Sequence, residues 1–122
     1  MKKYSLQTLA LVVLLLAPTV AHAWTTQVTF EQQSPDPQAG GTVQVGGHIE
    51  GTSNCTQGRK MRIQRSEVGA YVWRTITATR SDANGDYTKT VVAHTTKDYR
   101  IVAVAAPHCG KQEGGNITIH VK

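Results

Sequence analysis

The chain has 122 residues, a formal net charge of +5 and a hydrophobic fraction of 39%. Apart from an apolar leader, this length allows one domain with a modest core and excludes a multidomain protein. No second apolar stretch follows the leader, so the sequence predicts no membrane anchor in the mature chain.

The first residues have the pattern of a secretory signal. Two lysines precede the apolar run 9–17, and an A-x-A motif ends at Ala23. The run is about half as long as a bilayer-crossing helix, and an uncleaved anchor is the alternative. We predict a signal peptide over residues 1–23, a domain over residues 24–122, and a periplasmic or extracellular location.

The rest of the chain has the pattern of short strands separated by turn residues. Apolar and polar residues alternate with the period of a strand, and helix signals are nearly absent. The seven predicted strands cover residues 25–30, 42–49, 59–65, 71–79, 87–92, 99–105 and 116–121. Their number and spacing predict an all-β, antiparallel sandwich. Its predicted core residues are Val43, Val45, Ile49, Met61, Ile63, Ile76, Tyr99, Ile101, Ala103, Ile117 and Ile119.

Glycines mark two special positions among these strands. Gly46 and Gly47 lie inside the second strand and predict a bulge or a close approach of another backbone segment. Asn84 and Gly85 predict a tight hairpin turn, because both residues tolerate the positive φ that such a turn requires.

The two cysteines follow the second and the sixth predicted strands, at positions 55 and 109. In an exported chain such a pair predicts a disulfide between Cys55 and Cys109. The bond would close a loop of about 55 residues, which stabilises the fold by roughly 4 kcal/mol in the chain-entropy model. A thiolate metal pair or two free thiols are the alternatives, but there is no CxxC spacing.

Four motifs between residues 40 and 121 carry a family resemblance. They are Gly41-x-Val43-x-Val45-x-Gly47, Cys55-x-x-Gly58-Arg59-x-Met61-x-Ile63-x-Arg65, Asp82-x-Asn84-Gly85-x-Tyr87 and Tyr99-Arg100. In this order they resemble the immunoglobulin-like modules of secreted bacterial proteins. The resemblance implies a single seven-stranded immunoglobulin-like β-sandwich with one disulfide. It implies nothing about a ligand, because the motifs are turns and core positions.

No catalytic arrangement is recognisable in the sequence. The serines lie in turns or loops without a nucleophile elbow, and the carboxylates are scattered. We therefore predict that the chain is not an enzyme and has no cofactor. Asp82, Asn84 and Asp86 resemble half of a calcium loop, but the glutamate that completes such a loop is missing, which favours a simple turn.

Histidines offer a possible metal site. His48 and His120 are predicted to face outward on their strands, and periplasmic copper carriers use β-sandwiches with surface imidazoles. These two residues are the candidate ligands, although no His-x-His or methionine cluster accompanies them. Cleavage after Ala21 would also expose an amino-terminal His22, whose amine and imidazole chelate copper.

Basic and aromatic residues form a possible binding surface on two neighbouring strands. Arg59, Lys60 and Arg62 lie on the third predicted strand, and Trp73 and Arg74 lie on the fourth. The partner would be a protein or a glycan, and a solvated strand face is the alternative. No aromatic residue lies between the basic residues of the third strand to stack a base, so nucleic acid is not expected.

Taken together, these patterns predict a secreted, monomeric, non-catalytic binding or structural module. The alternatives are a periplasmic metal-binding protein of copper type, and a secreted inhibitor or effector that uses the basic strand face.

The processed protein should begin at Trp24, because Ala21 and Ala23 fit the two pockets of the signal peptidase. Mass spectrometry of the exported protein measures this end directly. A chain that begins at His22 would contradict the predicted cleavage site.

Overall fold

The computed structural model describes residues 26–122, so the predicted signal peptide and Trp24 lie outside the described residues. No helix in this range is long and apolar enough to cross a membrane. The elements are β1 (Gln27–Val28), β2 (Glu31–Gln32), β3 (Gly41–Glu50), α1 (Ser53–Thr56), β4 (Lys60–Ser66), β5 (Arg74–Arg80), β6 (Asp86–Ala93), β7 (Lys97–Ala103) and β8 (Gln112–Ile119).

The strands form two antiparallel sheets. In the first sheet β3 is central, with β6 along one edge and the short strands β1 and β2 along the other. In the second sheet the order is β5-β4-β7-β8. The prediction of an all-β fold with antiparallel sheets is confirmed. The seven-strand immunoglobulin-like topology remains a prediction; β1 falls within the first predicted strand, and β2 begins just after its predicted end.

The core lies between the sheets and follows from the alternation of apolar residues along each strand. Ile76 and Ile117 pack at its margin, partly buried. Phe30, Tyr87 and Val91 join the core without having been predicted from the pattern. The predicted residues that are buried are Val43, Val45, Ile49, Met61, Ile63, Tyr99, Ile101, Ala103 and Ile119.

The gap between β1 and β2 lies at Thr29, where the chain approaches β3 closely. The Thr29 N–H donates to the carbonyl of His48 at 2.9 Å, and the Tyr87 hydroxyl donates to the carbonyl of Thr29. An added Cβ at Gly47 would lie 2.0 Å from that carbonyl oxygen and 2.8 Å from the Tyr87 hydroxyl. The close approach predicted at Gly46 and Gly47 is present, and Gly47 leaves the space that it needs.

The predicted Asn-Gly turn is present, but the prediction that it closes a hairpin is wrong. Gly85 has a φ of +86°, and the Asp82 carboxylate accepts the N–H groups of Asn84 and Asp86 at 2.8 and 2.9 Å. The strands on either side belong to different sheets, because β5 pairs with β4 and β6 pairs with β3. Turn residues specify the local bend, whereas the partner strand is chosen by long-range packing.

The predicted disulfide between Cys55 and Cys109 is confirmed, with a Cα–Cα distance of 5.6 Å. Cys55 lies in the short helix α1, and Cys109 lies in a turn in which its N–H donates to the carbonyl of Ala106 at 2.8 Å. The bond therefore joins the segment after β3 to the segment after β7 at one end of the sandwich. Such bonds are typical of proteins that fold in an oxidising compartment.

Gly47→Ala should lower the free energy of unfolding by about 1–3 kcal/mol, the range for inserting a group into a packed site. Urea denaturation measures the change. Gly110→Ala is the matched control, because no heavy atom lies within 4 Å of its added Cβ. Equal denaturation midpoints for the two variants would contradict the tight contact at Thr29.

Candidate functional site

Arg59, which was predicted to belong to the binding surface, is buried and does not belong to it. Its Nε donates to the Val104 carbonyl at 2.8 Å, and its two terminal nitrogens donate to the carbonyls of Cys55 and Gly110 at 2.9 and 2.7 Å. Burial lowers the pKa of the guanidinium from its ordinary value. The parity that places Met61 inward also places Arg59 inward, so the sequence contained the signal for its burial.

The other residues of the predicted surface lie on β4, on β5 and in the loop between them. Lys60, Arg62 and Arg74 are exposed, and Trp73 is half-buried. The Trp73 ring lies over the guanidinium of Arg100 on β7, at 4.8 Å from ring centroid to Cζ. Stacking of a cation on an aromatic face is favourable and holds both groups.

Arg100 is held from several sides, and the sequence analysis did not identify it as part of this surface. Its Nε donates to the Gln64 side-chain oxygen at 2.8 Å, and Nη1 lies 3.3 Å from the Glu113 carboxylate. The cation that stacks on Trp73 is therefore held in place by Gln64 and Glu113. The only sequence signal was the Tyr99-Arg100 pair, which was interpreted as a structural motif.

The two strands β4 and β5 carry an unbalanced set of positive charges. In the register of the pair, Lys60 lies opposite Arg80 and Arg65 lies opposite Arg74. Like charges in directly opposed positions destabilise a sheet. Within residues 26–122, no carboxylate forms an ion pair with any of the basic residues on these strands, which are Lys60, Arg62, Arg65, Arg74 and Arg80.

The loop between β4 and β5 exposes apolar side chains. The exposed fraction is 57% for Val68, 62% for Tyr71 and 75% for Val72. Tyr71 has a φ of +53°, a backbone conformation that side-chain-bearing residues adopt at a cost. This loop therefore exposes apolar side chains between two basic strands.

His48 lies on the outer face of β3, as predicted, and is half-exposed. Its Nδ1 lies 2.8 Å from a carboxylate oxygen of Asp86, and its Nε2 lies 3.9 Å from one of Glu50. A carboxylate accepts hydrogen bonds, so Nδ1 carries a proton and the neutral ring keeps its lone pair on Nε2. The ring borders a cavity of about 410 Å³ that Glu31 and Asp82 also line.

The donors around His48 are few. Among the described residues, no group of three or more histidine, cysteine or acidic side chains is placed to hold a metal ion. His120, the second predicted ligand, is exposed just beyond the end of β8 in the other sheet. The segment that resembles half of a calcium loop uses its carboxylates internally, because Asp82 accepts backbone N–H groups and Asp86 bonds His48.

No protein-family model and no curated protein matches the sequence. Two solved structures of variants of the superoxide reductase (neelaredoxin) from Ignicoccus hospitalis are similar in fold. The first has a TM-score of 0.58 at 16% identity and covers 84% of this chain and 86% of its own. The second has a TM-score of 0.55 at 17% identity and covers 86% and 87%.

The likeness corrects one prediction from the sequence. The prediction that the chain is not an enzyme, which was drawn from the missing catalytic motif, is wrong as drawn, because two solved structures that share its fold are superoxide reductases, which are enzymes. At this level of identity the likeness establishes an all-β fold alone. The failure to recognise a catalytic motif in the sequence is therefore no argument against catalysis on this fold.

Arg59→Met should lower the free energy of unfolding by about 2–3 kcal/mol, because buried carbonyls would lose their donor. Arg62→Met, which changes an exposed arginine of β4, should change it by less than about 0.5 kcal/mol. Thermal and urea unfolding give both values. Equal effects of the two substitutions would contradict the structural role of Arg59.

Proposed function

We propose that this chain is an exported metal-binding protein of copper type, and that it holds a divalent transition-metal ion at Nε2 of His48. The observation that carries the proposal is the hydrogen bond between Nδ1 of the same ring and Asp86 at 2.8 Å. Histidines that ligate metals commonly donate their second ring N–H to a carboxylate in this way, which orients the ring and raises its basicity.

Glu50 is the second donor in this proposal. Its carboxylate lies 3.9 Å from Nε2 of His48, so a small rotation of either side chain would place both donors around one ion. Water or an external ligand would complete the coordination, because the described residues supply no third donor group. Copper(II) is the ion favoured for such a sparse site, since it binds nitrogen and oxygen donors more strongly than the other divalent ions of its row.

The fold comparison supports this function over a purely structural role. Reduction of superoxide requires a redox-active centre, and the two similar structures are named for that reaction. A bound copper ion with open coordination positions would give the present chain such a centre. His48 and Glu50 lie on the exposed side of β3, where a small oxidant would reach them.

Export, a monomeric state and an immunoglobulin-like topology belong to the same proposal. The disulfide supports export, because such bonds persist in the periplasm and outside the cell. The strand order β5-β4-β7-β8 beside a sheet centred on β3 supports an immunoglobulin-like topology.

Calorimetric titration with Cu²⁺ should give one site that His48→Asn removes. Asp86→Ala should weaken the site by about tenfold, because the ring loses the acceptor that orients it. His120→Asn is the matched control and should leave the affinity unchanged. Electron paramagnetic resonance of the loaded protein should show coupling to a single imidazole nitrogen.

A copper affinity that survives His48→Asn would contradict the proposed site. The mass of the protein is determined beforehand, because an amino-terminal His22 would bind copper by itself. The same loaded variants can be assayed for superoxide consumption. Activity that His48→Asn abolishes and His120→Asn preserves would assign that reaction to the site.

A further inference from the structure

The loop between β4 and β5 displays apolar side chains that nothing in the described structure covers. Four large apolar side chains are exposed within residues 26–122, and three of them, Val68, Tyr71 and Val72, lie in this loop. The fourth, Val92, lies on β6 in the opposite sheet. Contiguous exposed apolar side chains on a small protein mark a surface that meets another apolar phase.

This loop is held in its exposed form by specific bonds. The Gly69 N–H donates to the Asp98 carboxylate at 3.0 Å, and the Val72 N–H donates to the Ser66 hydroxyl at 3.0 Å. The Thr118 hydroxyl also donates to Asp98, and together these donors hold the pKa of that carboxyl below its usual range. The carboxylate therefore stays charged at neutral pH, and the apolar tip is preorganised.

Positive charge surrounds the base of the same loop. Arg65 and Arg74 face each other across the strand pair and line one cavity of about 400 Å³ together with Lys97 and Val72. Lys97 is paired with Glu67, whereas the two arginines have no carboxylate partner within the described residues. A ligand in this cavity would meet two free guanidinium groups beside an apolar side chain, which favours an anionic head group attached to a hydrocarbon chain.

The hairpin brings together the three kinds of side chain that a bilayer surface binds. Val68 and Val72 are apolar and exposed, Tyr71 and Trp73 form an aromatic pair, and Arg65 and Arg74 on the flanking strands lack a carboxylate partner within the described residues. A bilayer presents hydrocarbon, an interface that favours tryptophan and tyrosine, and charged head groups. We propose that this hairpin loop, residues 67–73, docks the protein peripherally on a membrane that contains anionic phospholipids.

An acidic protein surface is the other partner that a basic surface could bind. The exposed valines favour the membrane, because an acidic protein surface would match the arginines but would leave Val68 and Val72 uncovered. Arg65 and Arg74 also flank the loop in directly opposed positions on the two strands, so their positive charges lie close together, as head-group attraction requires.

Sedimentation with vesicles tests this proposal, using protein in the form that cells export. Vesicles of phosphatidylcholine and phosphatidylglycerol in equal amounts should bind the protein, and vesicles of phosphatidylcholine alone should not. Val72→Asp should lower the partition coefficient by about tenfold, because a charge would replace an apolar side chain in the bilayer. Val92→Asp, the matched control on the opposite sheet, should bind as the unchanged protein does.

The basic residues are tested in the same assay. The double variant Arg65→Gln, Arg74→Gln should lose the preference for phosphatidylglycerol, and Lys60→Gln, Arg62→Gln should retain it. Unfolding curves establish that each variant is folded. Absence of binding to the mixed vesicles would overturn the proposal and favour an acidic protein as partner. Equal losses in Val72→Asp and Val92→Asp, or in the two double variants, would overturn it as well, because binding would then reflect net charge alone.

Discussion

The guanidinium of Arg59 joins the short helix α1 to the loop between β7 and β8. Its nitrogens bond carbonyls of the helix α1, of the residue that follows β7 and of Gly110 next to the disulfide. The covalent bond between Cys55 and Cys109 closes the same end of the sandwich. A charge can be buried at this point because each of the three guanidinium nitrogens donates to a carbonyl. The end loops are therefore fixed, and the faces of both sheets remain free for binding.

The two proposed surfaces lie on different sheets, and different interactions would supply their binding energy. Around His48, a hydrogen bond to Asp86 orients one imidazole, so the binding energy would come from a few directed bonds. At the β4–β5 hairpin, unpaired arginines and an exposed valine act over an area, so the energy would come from charge and apolar burial. The sandwich separates the two sites, and occupation of one leaves the other accessible.

Local patterns in the sequence predicted the local parts of the structure. Alternation in β3 identified its buried face, and Gly85 identified a turn with positive φ. The pairing of β6 with β3 could not be predicted, because it depends on packing between distant segments. The same holds for the site: His48 was expected to face outward, but its bond to Asp86 comes from that pairing. Arg59 was misassigned because its charge was given more weight than its inward parity.

Because β5 and β6 belong to different sheets although they follow each other in the chain, their pairings close loops of different length. β4 and β5 are joined by a short loop, so Arg65 and Arg74 come together with little loss of chain entropy. The pairing of Gly41 with Ala93 encloses that whole hairpin and the inter-sheet turn, so it closes a far longer loop. Contacts between distant residues form slowly. The local hairpin of β4 and β5 would thus form early, and the distant pairs β3–β6 and β4–β7 would complete the two sheets later.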